Sequence, residues 1–273
     1  MGRLENEKTT AATAYNAASD HYDDPANSFW RRFGCRTVDR LSLGPGARVL
    51  DVCCGSGASA IAAAEAVAPD GFVLGVDLAE DLLELARTKA KLLDLKQIEF
   101  RAGDMLNLGL PESSFDAVIC VFGIFFVPDM EAATRKLWRL VRPGGKLAMT
   151  TWGPRFFEPA NTAFWDSVRE ERPDLYKGFN PWDRVCDTES VRSMLAGAGV
   201  KSQDVILEDG THPLRGPEDW WSMVLGTGYR GTIDQLDEES RERVRRSNFN
   251  FIRETRVRSV EANVIYAVAT KAQ

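Results

Sequence analysis

The residues best suited to chemistry lie in one run, Val49-Leu50-Asp51-Val52-Cys53-Cys54-Gly55-Ser56-Gly57-Ala58-Ser59-Ala60. An apolar β-like stretch ends in a turn of small residues and continues into a helical segment. Such a turn lets ligand atoms approach the backbone closely beside a helix N-terminus. Gly55-x-Gly57-x-x-Ala60 also fits the dinucleotide fingerprint G-x-G-x-x-G/A, so spacing alone leaves two ligand classes open. Two carboxylates separate them. Asp51, at the strand end four positions before Gly55, can accept from a cationic ligand amine and disfavours a pyrophosphate pressed against the same turn. Asp77 ends Phe72-Val73-Leu74-Gly75-Val76-Asp77, 22 positions beyond Gly55. An acid so placed accepts ribose hydroxyls, as in dinucleotide folds. One carboxylate points to an amino-acid end, the other to a ribose.

These residues need a scaffold, and apolar periodicity supplies one. Strands are expected at Arg48 to Val52, Phe72 to Val76, Ile98 to Phe100, Phe115 to Val121 and Lys146 to Thr151. Helices are expected at Ser56 to Val67, Asp81 to Leu93 and Met130 to Val141, the last stopped by Arg142-Pro143-Gly144-Gly145. The alternation over residues 47 to 152 predicts a parallel sheet covered by helices on both faces, with right-handed crossovers. Beyond it come a Pro- and aromatic-rich stretch at 153–187, a helix at Thr188 to Ala198, a strand at Asp204 to Leu207, a mostly helical insertion at 210–260 and a last strand at Asn263 to Ala269.

In its motifs the chain resembles the class I S-adenosylmethionine-dependent methyltransferases, in particular the methyltransferase type 11 group related to ubiquinone/menaquinone C-methyltransferases. Five segments in order carry the resemblance: Val49 to Gly57, Gly75-Val76-Asp77, Gly103-Asp104-Met105, Ser114-Phe115-Asp116-Ala117-Val118, and Leu140 to Leu147. It extends over about residues 15 to 152 and beyond that only in outline. It implies an α/β fold, a Rossmann-like doubly wound sheet of seven mostly parallel strands with the last antiparallel, and helical lid insertions. Residues 1–45 would form the lid. Residues 46–273 would form the S-adenosylmethionine-binding domain, with 153–187 and 210–260 covering the substrate.

The resemblance also implies roles. Asp51, Gly55 and Gly57 would cradle the methionine portion, Asp77 the ribose, and Leu78 the adenine face. Asp104, after Gly103, would accept from the adenine amino group with Met105 packed on the ring, and Val121 and Phe122 would floor the pocket near the sulfonium. Cys53 stands where the family usually has Gly, which narrows the turn. Ala14 to Asp23 resembles the family's lid helix, so Tyr15, Tyr22, Trp30 and Phe33 are candidates to close the site, Tyr22 against the cofactor.

For the acceptor the sequence offers aromatics. Five of the seven Trp residues (30, 165, 182, 220 and 221) lie in the N-terminal segment and the insertions, with Phe156, Phe157, Phe164, Phe179 and Tyr229. Phe126, Trp152, Trp182 and Trp221 are the candidate substrate contacts, in a cavity suited to a flat or lipidic small molecule. The bland reading makes each of them ordinary core. His212, in Gly210-Thr211-His212-Pro213-Leu214, is the first candidate for a general base and His21 the second, where the acceptor needs one. Neither Cys53 nor Cys54 is expected to be a nucleophile, since no His lies nearby in sequence.

Composition sets the outer limits. The 273 residues carry 34 basic and 40 acidic side chains, a net −6, with 44% apolar and 27% charged. That is an ordinary globular mix, and its acidity argues weakly against a nucleic-acid partner. No Asn-Pro-Pro-Tyr or Asp-Pro-Pro-Tyr follows the fourth strand, which disfavours base-flipping amino methylation. The Arg-rich stretch Arg241 to Arg258 reads as a solvated helix face. Five cysteines without a C-x-x-C pair and two histidines suggest neither a disulfide framework nor a metal centre. No segment is apolar enough for a membrane span or a signal peptide. The expectation is a cytoplasmic monomer or homodimer acting on a small molecule. Two rivals stay open: a non-catalytic or repurposed S-adenosylmethionine-binding protein, and an NAD(P)-dependent oxidoreductase.

Overall fold

In the computed structural model, which describes residues 2–201 and 203–273, nine strands follow in chain order. They are β1 (Arg48–Val52), β2 (Phe72–Asp77), β3 (Ile98–Ala102), β4 (Phe115–Val121), β5 (Val141–Trp152), β6 (Gln203–Glu208), β7 (Thr211–Pro213), β8 (Ser259–Glu261) and β9 (Val264–Thr270). The helices are α1 (Gly2–Ala17), α2 (Ser19–Tyr22), α3 (Phe29–Asp39), α4 (Ala58–Val67), α5 (Glu80–Leu92), α6 (Met130–Leu140), α7 (Ala160–Glu171), α8 (Thr188–Gly197), α9 (Pro217–Leu225), α10 (Arg230–Ile233) and α11 (Glu238–Glu254).

The main sheet has seven strands in the order β3-β2-β1-β4-β5-β9-β6. β1 to β5 pair in parallel, and β9 runs antiparallel to both β5 and β6. This is the expected Rossmann-like sheet with its antiparallel last strand. The central strands read as unbroken apolar runs because helices cover both faces: Val49, Leu50, Val118 and Ile119 are fully buried. The order places the C-terminal ends of β1 and β4 side by side, with Val52 opposite Cys120. Ligands of open α/β sheets bind outside those ends, where the strand order reverses.

Two expectations change. Arg142-Pro143-Gly144-Gly145 ends helix α6 as predicted, yet it lies within β5 as an irregularity, between the pairs Phe115–Val141 and Ala117–Lys146. Gly144 supplies the positive φ, +76°, that this excursion uses. The 210–260 insertion is helical through α9, α10 and α11, but a short antiparallel ribbon of β7 and β8 ties its two ends together. The Arg-rich helix α11 behaves as a solvated face, its arginines pairing with Glu171, Glu218 and Glu242.

Candidate functional site

The turn after β1 is left-handed at three points: Cys53 (φ +55°), Gly55 (+52°) and Gly57 (+85°). A β-carbon at Gly55 would lie 2.8 Å from the Tyr22 hydroxyl, so only glycine fits there. Cys53 holds the same handedness with a side chain, at a cost of about 1–3 kcal/mol. Its thiol is pushed well up by contact with the Cys120 thiol and by burial, and burial does the same to Cys54. Both stay protonated and are poor nucleophiles.

Asp77 closes the turn from the neighbouring strand. Its Oδ2 accepts the Gly55 N–H at 2.8 Å and its Oδ1 accepts the Ala79 N–H at 2.9 Å. Burial raises this carboxyl despite the backbone N–H groups of Ala79, Gly55 and Leu78 that oppose the shift. A carboxylate has about four lone-pair sites, so acceptor capacity remains for a ligand.

Around Asp77 lies a cavity open to solvent. Cys53, Gly55, Asp77, Leu78, Gly103, Asp104, Met105, Val121, Phe122 and Tyr22 all line it. Segments far apart in sequence thus meet around one cavity. Tyr22 stacks on Trp30 with centroids 5.1 Å apart and 3° between planes, and both rings line the cavity with Tyr15. Phe33 does not line it; it is core, 5.8 Å from Phe122. Asp23 ties the N-terminal segment to the turn, accepting from Ser56 Oγ at 2.7 Å and from Lys89 Nζ at 3.0 Å.

Asp51 and Gly57 stand differently from expectation. Asp51 is fully buried behind the cavity wall, and Ser59, which does line the cavity, donates to its Oδ2 at 2.7 Å. Its Oδ1 is buried without a donor, and burial lifts the carboxyl to about 7. Any contact with a ligand therefore passes through Ser59 Oγ or needs a small shift of this side chain. Gly57 shapes the turn and caps α4, where a β-carbon would press on Ala86 and Phe100 at 3.1 Å.

A second cavity, also open to solvent, adjoins the first, sharing Ala11, Tyr15, Phe126 and Val127 with it. Phe125, Trp165, Trp182 and Tyr229 form its aromatic walls. Of the candidate substrate contacts, Phe126 and Trp182 lie here. Trp152 does not: it is buried behind the first cavity, stacked on Phe122 at 4.0 Å. Trp221 is half-buried and lines neither cavity, and its neighbour Trp220 is core, donating to Asn248 Oδ1 at 2.8 Å.

Neither histidine reaches the cavities. His212 on β7 is buried, its Nε2 2.8 Å from the Ala26 carbonyl, and burial lowers its pKa. It ties β7 to the turn before α3. His21 lies against Asp20, Nδ1 to Oδ1 2.8 Å. Sequence reasoning chose them by residue type; it missed Ser59, Val127 and Lys177, whose positions depend on packing. Among the described residues no group of three His, Cys, Asp or Glu side chains could hold a metal, and no helix is long and apolar enough to cross a membrane.

This sheet order, with a glycine turn after β1 and acids ending β2 and following β3, invites comparison with known proteins. Residues 49–145 match a methyltransferase domain. Over 119 residues the chain is 39% identical to a demethylmenaquinone methyltransferase of Listeria welshimeri, covering 44% of this chain and 49% of that protein. The chain thus spans about half the length of the curated relatives it matches. The YcgJ protein of Bacillus subtilis has a TM-score of 0.59 at 18% identity, over 89% of this chain and 99% of that one. A SAM-dependent methyltransferase of Aquifex aeolicus gives 0.55 at 21% identity, over 70% and 91%. At such identities the structural likeness is one of fold. The similarity is to a methyltransferase domain over residues 49–145, the part of the chain that carries the motifs. The two insertions lie outside the matched residues 49–145.

Proposed function

We propose that this protein is an S-adenosylmethionine-dependent methyltransferase that alkylates O, N or C of an apolar or aromatic small molecule. The observation that carries the reading is Asp77, fixed by the Gly55 amide and facing a cavity that opens onto an aromatic one. The residues fit the cofactor. In this reading Asp77 takes the ribose, Asp104 and Met105 the adenine with Leu78 across the ring, and the glycine turn the methionine portion; that all of them line one cavity supports it. The orphaned Asp51 Oδ1 suits an ammonium group reached beside Ser59. When bound, S-adenosylmethionine supplies a methyl group already activated on sulfur.

The chain's own task is then alignment and exclusion of water. Val121 and Phe122 floor the first cavity, while Tyr15, Phe126 and Val127 stand at its junction with the second. Holding two reactants in line can supply about 7–11 kcal/mol of a barrier. Burial raises the Tyr15 and Tyr22 phenols far above neutrality, so both act as donors and not as bases. In this reading residues 1–45 serve as the lid, 153–187 and 210–260 cover the acceptor, and the protein works in the cytoplasm as a monomer or homodimer. The demethylmenaquinone methyltransferase relative suggests a planar ring as acceptor.

An oxidoreductase is disfavoured because the Gly55 N–H, which a pyrophosphate would take, already serves Asp77. The repurposed binding protein is separated by turnover. Incubation with S-adenosylmethionine and a panel of hydroxylated aromatic acceptors should release S-adenosylhomocysteine, and Asp77→Ala should abolish it. Saturable binding of the cofactor with no release for any acceptor would favour the non-catalytic reading instead.

A further inference from the structure

The aromatic cavity is unbalanced in charge and in hydrogen bonding. Among the described residues that line it there is no carboxylate, while Lys177 and Arg184 are both present. Four of the five Arg184 N–H groups are taken by the carbonyls of Phe125, Val127, Pro128 and Pro181. Lys177 has no ion-pair partner among the described residues; its Nζ lies 5.8 Å from the Trp165 ring centroid. Two further donors are idle: the indole N–H groups of Trp165 and Trp182 are buried with no acceptor. A buried donor left without an acceptor is costly, and an acceptor brought to it by a ligand recovers that cost. None of these three groups lines the cofactor cavity.

We infer that the second cavity selects a planar aromatic anion bearing an oxyanion group, such as a carboxylate, at the end remote from the methyl site, with Lys177 as the specificity-determining residue. The ring lies between the Trp165–Tyr229 and Phe125–Trp182 walls, its oxygens accept from the idle indole N–H groups, and the oxyanion meets the Lys177 ammonium. Cationic amines are rejected, because the described residues that line the cavity bring two positive charges and no negative one. Selection of an anion by a protein of net charge −6 has to be local, since the overall field opposes it.

This inference rests on the methyltransferase reading for the word acceptor, and its test keeps the two apart. Calorimetry first measures S-adenosylhomocysteine binding, which reads the methyltransferase proposal alone. The saturated protein, or the free protein if no heat appears, is then titrated with 2-naphthoate, 2-acetylnaphthalene and 2-naphthylmethylammonium. Expected is 2-naphthoate about tenfold tighter than the neutral ketone, with the ammonium weaker still. Lys177→Met should bring 2-naphthoate down to the ketone's affinity and leave the ketone unchanged, whereas Lys177→Arg should keep the preference. Trp182→Phe should weaken the ketone a few-fold but not 2-ethylnaphthalene. Ammonium binding as tight as naphthoate, or naphthoate binding unchanged in Lys177→Met, would overturn the inference.

Discussion

Asp77 Oδ2 accepts the Gly55 N–H at 2.8 Å, so the acid ending β2 and the glycine turn after β1 form one unit. Removing the carboxylate frees the turn and deletes the ligand contact together. Asp77→Ala is therefore expected to weaken S-adenosylhomocysteine by about 3–5 kcal/mol, roughly a hundred- to several thousand-fold, since two charge-assisted bonds are lost. Calorimetric titration checks this. An affinity within threefold of the parent would remove Asp77 from the site.

Gly55→Ala puts a β-carbon 2.8 Å from the Tyr22 hydroxyl on a backbone at φ +52°. The handedness alone costs about 1–2 kcal/mol, and the clash adds to it. The double variant Gly55→Ala/Tyr22→Phe should recover the clash part and leave the backbone part. Denaturant midpoints of the four proteins in this cycle test it; full additivity would mean that the two residues do not meet.

The fully buried Asp51, raised from an ordinary carboxylate to about 7, makes stability fall as pH rises. Its proton is held more tightly in the folded than in the unfolded chain. The folded state therefore gains at acidic pH, and the gain is lost between about pH 4 and pH 7. Asp51→Asn has no such proton, so melting temperatures of variant and parent should diverge in the variant's favour as pH is raised from 5 to 8. Asp77, shifted the same way, keeps its share of the slope in both proteins. Parallel melting curves across that range would contradict the assignment.

His212 is expected to be structural. Its Nε2 meets the Ala26 carbonyl, and burial holds the ring neutral with a lowered pKa. The stability it contributes is complete above about pH 6.5 and lost as pH falls through the depressed folded value. His212→Gln should cost about 1–3 kcal/mol in unfolding experiments while turnover stays within about twofold. A loss of turnover beyond a hundredfold with stability intact would restore it as the base.

Much of the scaffold was legible because each core strand is an apolar run closed by a turn signal, as in Val49 to Val52 before the small-residue turn. Asp77 could be read from its position at a strand end, whereas Gly103-Asp104-Met105 and Val121-Phe122 came from the family resemblance; the sheet brings them to one side because strand ends of a parallel sheet gather there. Asp51 was harder: spacing gives its position at the strand end but not that it turns back to Ser59 and away from the cavity. Trp152 and His212 were chosen by residue type, and type does not distinguish a cavity wall from a packed core. The second cavity joins α1, the turn after β4, α7 and the 176–184 segment. Lys177 beside Trp165 is a product of that packing, with no local pattern to announce it. The β7–β8 ribbon escaped for a similar reason: three-residue strands separated by three helices carry no detectable period.

The most direct measurement is a pair of calorimetric titrations of the purified protein, one with S-adenosylhomocysteine and one with NADH. One-to-one saturable binding of the sulfur nucleoside, and no heat from the dinucleotide, is the predicted result. Tight NADH binding with silence from S-adenosylhomocysteine would contradict the account at its centre.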